Sequence, residues 1–239
     1  MPADELEQVQ ARLLELHPEG FEEADGELAV YTDAEGEERL RRLFAGISTS
    51  SVEPGWGERW REFHRPVWIG PVWVGPPWEE PPDGAVAVVV EPGRAFGTGS
   101  HPTTRLCLGF LLDRKPGSLL DVGCGSGVLS VAGAKLGFDP VVAVDRDEAA
   151  VAAARRNAEA NGVRIDVRLA DALGGPLPGA DVALANIDLS AVEALGPELD
   201  VGTLVTSGYF HARMPAVQGY AHRERRVDGG WAADLFVRQ

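Results

Sequence analysis

The sequence predicts an α/β protein in which a doubly wound, largely parallel sheet ends in an antiparallel hairpin and follows a small α+β domain. From residue 86 onward, aliphatic runs typical of buried strands alternate with helical stretches, as expected for parallel βα units. The last segment, HRERRVDGGWAADLFVR, has two strand patterns joined at Asp228-Gly229-Gly230, which is typical of a hairpin turn. The first 55 residues have instead an α-β-β-α-β order, which suits a small open sandwich.

The small domain is predicted over residues 1–55. Its first helix is indicated by apolar residues at helical spacing: Leu6, Val9, Leu13 and Leu16. GFEEADGELAVYTD then predicts two strands around an Asp25-Gly26 turn, EGEERLRRLFAG a second helix ending at Gly46, and ISTSSVE a third strand. Residues 1–65 hold sixteen acidic residues against seven arginines. This excess of negative charge could dock a lysine-rich protein or form a solvated face with no partner, and the sequence leaves both open.

Residues 56–84 are predicted to connect the two domains. They contain five of the six tryptophans and six prolines, whereas a flexible linker is rich in glycine and serine and poor in aromatic residues. This composition favours a connector whose aromatic rings are buried between domains. An aromatic platform for a substrate is the alternative.

Residues 85–239 are predicted to form the larger domain. Its strands are VAVVVEP, SLLDVG, PVVAVD, RIDVRLAD, ADVALANI and GTLVTSGYF, before the hairpin. Its helices are the stretch that begins at HPTTRLCLGFLL, then GVLSVAGAKLG, DEAAVAAARRNAEANG, a short helix after ADVALANI and a very short one in HARMPAV.

Composition excludes several classes of protein. The formal net charge of −15 argues against binding to nucleic acid or to an anionic membrane, because both would repel the chain. No apolar run is long enough to span a membrane, and the start MPADELEQVQ is unlike a signal peptide. The two cysteines do not form a spaced disulfide framework, so we expect a cytoplasmic protein.

The glycine turn LLDVGCGSG, residues 119–127, marks the predicted ligand site. It lies where a strand should end and a helix should begin, and its glycines allow a tight turn and close approach of a ligand. Asp121 closes the strand before the turn. Asp145 ends the next strand, where a carboxylate can bind ribose hydroxyls, and Asp171 ends the third strand, where it can accept from an adenine amino group.

The spacing within this turn disfavours a dinucleotide. A G-x-G-x-x-G fingerprint starting at Gly123 would need glycine at position 128, where the chain has Val128. A ligand with a ribose and an adenine but no phosphate fits better, and S-adenosylmethionine is such a ligand. A glycine turn that only packs a helix against a strand is the structural alternative. We expect no metal ligands.

Three segments, LLDVGCGSGVLSVAGAKLG, VVAVDRDEAAVAAARRNAEANGV and ADVALANI, resemble the class I S-adenosylmethionine-dependent methyltransferases. EPGRAFGTGSHPTTRLCL is similar to the signature of the PrmA family, which methylates the eleventh protein of the large ribosomal subunit. The resemblance covers residues 56–239 and implies a seven-stranded sheet and a loop, here called the glycine loop, within EPGRAFGTGSHPTT at residues 91–104. This loop is expected to close over the methionine end of the cofactor. The residues expected to contact or line the cofactor are Phe96, Gly97, Thr98, Gly99, Thr104, Asp121, Gly123, Gly125, Asp145, Asp171 and Asn186.

The start of the helix after the glycine loop is a candidate for binding the carboxylate of the cofactor. Pro102 suits the first helical turn, where its missing N–H costs nothing. The free N–H groups and the Thr104 hydroxyl can then hold the carboxylate. His101 is either a general base or a capping or packing residue, and its position favours the second role.

The resemblance implies methyl transfer to protein amino groups, on a lysine side chain or an N-terminus, of a basic ribosomal protein. Asn186 is then predicted to position the amine, although contact with the cofactor alone is equally compatible with its place. Its context NIDL lacks the Asn-Pro-Pro-aromatic pattern of adenine- and glutamine-directed relatives.

The chain departs from the family at its beginning. The family's recognition domain is βαββαβ, whereas this chain is expected to start in the first helix and to lack the first strand. The alternatives are therefore an N-methyltransferase for another protein or a small amine, or an S-adenosylmethionine-binding protein without catalysis. An NAD-dependent oxidoreductase is more remote.

Overall fold

A computed structural model describes residues 9, 13, 22–24, 27–30, 32, 34–44, 47–49, 64–92 and 99–239. The chain divides into two compact units, Met1–Phe63 and His64–Gln239. The second unit therefore includes residues 64–84, which belong to the predicted connector.

The first unit has the predicted helix, hairpin and helix in its described part. Val9 and Leu13 are helical, and the strands β1 (Glu22–Ala24) and β2 (Glu27–Ala29) pair antiparallel. Helix α1 spans Ala34–Leu43 and carries two i,i+4 ion pairs, from Arg41 to Glu37 and from Arg42 to Glu38.

The third strand predicted for this unit is not found where the structure describes it. Residues 47–49 are irregular, and the rest of ISTSSVE lies outside the described residues. Arg41 donates to Oγ1 of Thr49 at 2.5 Å, so this segment is held against the helix rather than paired with a strand.

A three-stranded sheet opens the second unit. Its strands are β3 (Val67–Ile69), β4 (Val72–Gly75) and β5 (Val86–Val89), with β3 antiparallel and β5 parallel to β4. VAVVVEP is thus a strand as predicted, and it pairs with connector residues. Among the connector tryptophans that the structure describes, Trp73 is buried, Trp78 is half-buried and Trp68 is 53% exposed.

The main sheet has seven strands in the order β11-β12-β10-β9-β6-β7-β8. Within β6 to β10, every pair of neighbouring strands is parallel. The hairpin of β11 and β12 is antiparallel, and β12 also pairs antiparallel with β10. This confirms the predicted sheet. The strands are β6 (Leu119–Val122), β7 (Val141–Asp145), β8 (Asp166–Leu169), β9 (Ala180–Asn186), β10 (Val201–Phe210), β11 (Tyr220–Asp228) and β12 (Trp231–Arg238).

Helices cover both faces of this sheet. They are α2 (Pro102–Leu112), α3 (Val128–Lys135), α4 (Glu148–Ala160) and α5 (Leu189–Ala194), and a 3₁₀ turn follows at Gly196–Glu198. Among the described residues, one core cluster contains Leu108 and Phe110 of α2, a second contains Leu195 and Phe236, and a smaller third contains Val151 of α4. No helix in the described part of the chain is long and apolar enough to cross a membrane.

The prediction of a helix in HARMPAV is wrong, because residues 211–219 contain turns but no helix. The guanidinium of Arg225, on β11, donates to the carbonyl oxygens of His211 at 2.7 Å and of Arg213 at 2.6 Å. These carbonyls are therefore bound by a distant strand instead of by a helical turn.

Candidate functional site

The parallel strands bring the predicted site residues to one edge of the sheet. β6 lies between β7 and β9, and Val122 pairs with Val144 on one side and with Ala185 on the other. The residues that follow these three stand side by side at the carboxyl edge: Gly123, Asp145 and Asn186.

The glycine turn has the backbone that its sequence predicts. Gly123, Gly125 and Gly127 have φ values of 71°, 53° and 78°, in the region that favours glycine. The N–H of Gly123 donates to the carbonyl oxygen of Val144 at 2.9 Å, which holds the turn against β7. A side chain at Gly123 would collide with that of Ile187, so the turn leaves room only for backbone.

Asp145 is oriented by two backbone donors. Its Oδ2 accepts from the N–H of Gly125 at 2.9 Å and its Oδ1 from the N–H of Asp147 at 3.0 Å. Each carboxylate oxygen has a further lone pair, so the group can still accept from a pair of ligand hydroxyls.

Asp171 lies beside Asp145, at the end of the neighbouring strand. The N–H of Ala170 donates to the Asp145 carbonyl oxygen at 2.8 Å, and Asp171 is the next residue. Its side chain is exposed and accepts from the N–H of Leu173 at 3.0 Å. The adenine contact predicted for it stays a prediction.

Two buried polar atoms at this end of the domain have no hydrogen-bond partner among the described residues: Oγ1 of Thr104 and Oδ1 of Asn186. Their helix and strand are linked through Cys107, one turn after Thr104, whose thiol contacts the side chain of Ser207. Ser207 is the β10 partner of Asn186. An unpaired buried polar atom costs free energy, so a ligand that pairs with it is stabilised.

These residues fit S-adenosylmethionine. The Asp145 carboxylate suits a ribose diol, and the glycine turn admits close approach. Among the described residues the Thr104 hydroxyl and the Asn186 carbonyl oxygen are both unpaired; the hydroxyl suits a polar group of an amino acid, and the carbonyl oxygen suits an amine. Among the described residues, no cluster of three or more histidine, cysteine, aspartate or glutamate side chains could hold a metal ion.

Asp121 lies within β6 rather than at its end. Its side chain is 1% exposed and accepts from the Ser130 hydroxyl at 2.5 Å. Burial raises the pKa of this carboxyl to about 6, and the nearby Asp145 charge acts in the same direction. Direct contact of Asp121 with the cofactor stays a prediction.

His101 is the N-cap of α2, the kind of role that the sequence favoured. Its Nδ1 lies 2.7 Å from Oγ1 of Thr103 and accepts from the N–H of Thr103 at 3.3 Å. Its ring packs edge to face with the ring of Trp231, and the two ring centroids are 4.7 Å apart. Burial lowers the pKa of His101 to about 4, and the neighbouring Arg105 charge adds to this effect.

The glycine loop is described only in part. Phe96, Gly97 and Thr98 lie outside the described residues, so their predicted cofactor contacts stay predictions. Gly99 is buried with φ 89°, and a side chain there would collide with Val74 of β4. The small sheet therefore supports the end of the loop.

Sequence reasoning missed the part played by the terminal hairpin. Trp231, directly after the hairpin turn, stacks on Phe210 at 4.3 Å beside His101. Arg105 donates to Oδ2 of Asp228 at 3.0 Å through Nε and at 2.5 Å through Nη2. The pairing of a hairpin with a helix distant in sequence has no local signal, although the position of the turn was predicted.

An open pocket of about 410 Å³ lies elsewhere, near the start of β11 and the end of β12. Its lining includes Val217, Tyr220, His222 and Phe236, and none of the predicted site residues. It is therefore not the site that the sequence indicated.

A glycine turn and acidic strand ends on a seven-stranded sheet with an antiparallel terminal hairpin define the class I methyltransferase fold. The solved structure of ribosomal protein L11 methylase from Lactobacillus delbrueckii subsp. bulgaricus is similar to this chain. Its TM-score is 0.67 at 27% identity, over 74% of this chain and 100% of that one.

The family model described as ribosomal protein L11 methyltransferase (PrmA) matches residues 19–237. The ribosomal protein L11 methyltransferase of Caldanaerobacter subterraneus subsp. tengcongensis is 40% identical over 184 residues, which cover 72% of this chain and 60% of that protein. That of Symbiobacterium thermophilum is 43% identical over 175 residues, which cover 69% and 58%. The chain belongs to the PrmA family, and its match spans about 60% of the length of these relatives.

Proposed function

We propose that this chain transfers a methyl group from S-adenosylmethionine to amino groups of a protein, on a lysine side chain or an N-terminus, in the cytoplasm. The proposed acceptor is ribosomal protein L11, the substrate in the names of its relatives. The observation that carries the proposal is the buried Oδ1 of Asn186 beside the glycine turn, which has no hydrogen-bond partner in the described part of the chain. An acceptor atom in this position suits an amine.

The cofactor would be held by groups from four elements. Asp145 would bind the ribose hydroxyls and Asp171 the adenine amino group, while the backbone of residues 123–127 would lie against the ligand. The Thr104 hydroxyl and the free N–H groups at the start of α2 would hold the carboxylate. When bound, S-adenosylmethionine supplies an electrophilic methyl group on a positively charged sulfur.

The acceptor amine must lose its proton before transfer. For a lysine with a pKa near 10.4, this costs roughly 4–5 kcal/mol at pH 7. Because desolvation disfavours the ammonium form, a site that excludes water lowers the cost without a dedicated base. His101 is poorly suited to be that base, since its Nδ1 is engaged at the helix cap and its pKa is about 4.

Asn186 would orient the neutral amine. Its Oδ1 accepts an N–H from the nitrogen, so the nitrogen lone pair can point at the methyl group. Methyl transfer is an in-line displacement, and its rate depends mainly on the alignment of donor and acceptor. Asn186 is therefore a candidate for the catalytic residue.

The acidic first part of the chain is proposed to recognise the protein substrate. Its negative charge opposes that of a basic ribosomal protein, and such a pair is attracted over about one Debye length. The same charge disfavours direct binding to ribosomal RNA.

The function is tested with purified chain, recombinant ribosomal protein L11 and S-adenosylmethionine carrying a deuterated methyl group. Mass spectrometry should find the label on L11 amino groups with the wild type, and about a hundredfold slower labelling with Asn186→Ala. S-adenosylhomocysteine binding should be lost in Asp145→Ala.

Other outcomes assign the alternatives. Label that reaches only another protein or a small amine in a lysate would reject L11 as the acceptor. Binding of S-adenosylhomocysteine with no transfer to any acceptor would reject catalysis.

A further inference from the structure

Asn157 connects two segments that are distant in sequence and that flank the proposed cofactor site. It lies on α4, for which the sequence predicts a helix and no contact with the cofactor site. We propose that Asn157 is a positioning residue that fixes the glycine turn relative to the strand entering the glycine loop. The inference rests on the proposed function, since it concerns how the same site holds its cofactor.

The side-chain amide of Asn157 bonds to both segments at once. Its Nδ2 donates to the carbonyl oxygen of Ser126, within the glycine turn, at 2.8 Å. Its Oδ1 accepts from the N–H of Glu91 at 3.2 Å, and Glu91 is two residues before Gly93, where the glycine loop begins. The side chain is 4% exposed, so water does not substitute readily for these bonds.

This connection requires an amide. One end of the side chain must donate and the other must accept, and the asparagine amide offers both from one short planar group without a change of protonation. An aspartate of the same size can accept from Glu91 but, when ionised, cannot donate to Ser126. Asn157→Asp therefore removes one of the two bonds and keeps the other.

Asn161, one helical turn later, provides a matched comparison. Its Oδ1 accepts from the N–H of Val89 at 2.9 Å, and its Nδ2 donates to the Val89 carbonyl oxygen at 2.6 Å and to that of Asn157 at 2.7 Å. It anchors the same strand, β5, with an amide of the same kind. None of its hydrogen bonds reaches the glycine turn.

The two asparagines should therefore differ in their effect on ligands. From Glu91 the chain leads to Gly99 and the start of α2, where Thr104 is proposed to hold the carboxylate of the methionine arm, whereas Asp145 and Asp171 would hold the adenosine end. Displacing the loop entrance from the glycine turn should weaken the binding of ligands that carry the methionine arm. The binding of ligands that have only the adenosine part should be unchanged.

The test is a calorimetric titration of the full chain with S-adenosylhomocysteine and with 5′-methylthioadenosine, which lacks the amino acid arm. In Asn157→Ala and Asn157→Asp, the Kd of S-adenosylhomocysteine should rise about tenfold or more, and that of 5′-methylthioadenosine should stay within about twofold. In Asn161→Ala, the ratio of the two Kd values should match the wild type, although the melting temperature falls.

An equal rise in the Kd of both ligands in the Asn157 variants would overturn the proposal, because loss of a general structural support would weaken binding at both the adenosine end and the methionine end. Unchanged binding of both ligands would overturn it as well. Should Asn157→Ala not fold, the isosteric Asn157→Asp decides. Failure of the folded wild type to bind S-adenosylhomocysteine would instead reject the proposed function, and the role of Asn157 with it.

Discussion

Two neighbouring threonines at the start of α2 are both 1% exposed but differ in hydrogen bonding. Oγ1 of Thr103 lies 2.7 Å from Nδ1 of His101, whereas Oγ1 of Thr104 has no partner among the described residues. A buried hydroxyl without a partner costs about 1–3 kcal/mol. At this position, stability and ligand binding should therefore have opposite requirements.

Thr104→Val should raise the free energy of unfolding of the ligand-free chain by about 1 kcal/mol, because valine has the same shape and no polar atom. The same change should raise the Kd of S-adenosylhomocysteine about tenfold. Thr103→Val, the control, should destabilise the chain and leave binding intact. Urea unfolding and calorimetry measure both quantities, and a Thr104→Val protein that binds normally would contradict the proposed contact.

His101 should make the stability of the chain depend on pH, but it should not act as the general base of methyl transfer. Since its pKa is lowered to about 4 from 6.5, its stabilising contribution is fully present above pH 6.5, falls progressively as the pH drops below 6.5, and is lost once the pH has passed through 4. His101→Asn keeps a capping side chain without this titration. Between pH 7 and pH 5, the wild type should therefore lose about 2 kcal/mol relative to the variant, measured by urea unfolding.

The rate of methyl transfer separates the two roles of His101. If the residue only caps the helix, the kcat of His101→Asn should stay within about threefold of the wild type between pH 7 and pH 9. Loss of a general base would slow the reaction by about 10²–10⁴-fold and change the pH profile.

Gly208 fixes where β10 meets the end of β9. It has φ 102° and lies in an irregularity of the β10–β12 pairing. A side chain there would collide with the backbone of Ile187, the residue after Asn186. Gly230 has φ 84° in the hairpin turn, and a side chain there would meet nothing within 4 Å.

Gly208→Ala should therefore lower the free energy of unfolding by about 3 kcal/mol or more, and Gly230→Ala by about 1 kcal/mol. Both variants strain a backbone with positive φ, but only the first must displace the backbone at Ile187, directly after β9. Gly208→Ala should also weaken catalysis, since it moves Asn186. Urea unfolding gives the two free energies. Equal costs for the two variants would mean that β9 gives way freely at this point.

The elements that the sequence predicted well have local causes. The hairpin turn follows from Gly229 and Gly230, whose φ values of 56° and 84° suit glycine. Asp145 and Asn186 end buried parallel strands, so the sheet itself brings them to one edge. This part of the candidate site therefore follows from the order of strands and helices along the chain.

The elements that the sequence missed depend on distant partners. The composition of HARMPAV is typical of a helix, but Arg225, on β11, donates hydrogen bonds to two of its backbone carbonyl oxygens. VAVVVEP reads as a strand without revealing that it pairs with β4. Likewise, nothing in AARRNAEANG indicates that its first asparagine bridges Glu91 and Ser126. Tertiary hydrogen bonds of this kind leave no periodic pattern.

The division of the chain into two units separates the proposed roles. All the described residues proposed to hold the cofactor lie in the second unit, His64–Gln239. Sixteen of the 37 acidic residues lie in the first 65 residues, with no lysine among them. Cofactor binding and attraction of a basic substrate should therefore be separable.

A fragment of residues 64–239 should bind S-adenosylhomocysteine with the Kd of the full chain, because it keeps every described cofactor residue. The same fragment should methylate ribosomal protein L11 with a KM at least about tenfold higher, since it lacks the acidic unit. With the full chain, raising the salt from about 0.05 to 0.3 M should raise this KM without changing the Kd of S-adenosylhomocysteine, because screening weakens only the attraction between exposed charges. Steady-state kinetics and calorimetry provide the two readouts. A fragment that methylates L11 as efficiently as the full chain would remove substrate recognition from the first unit and assign it to residues 64–239.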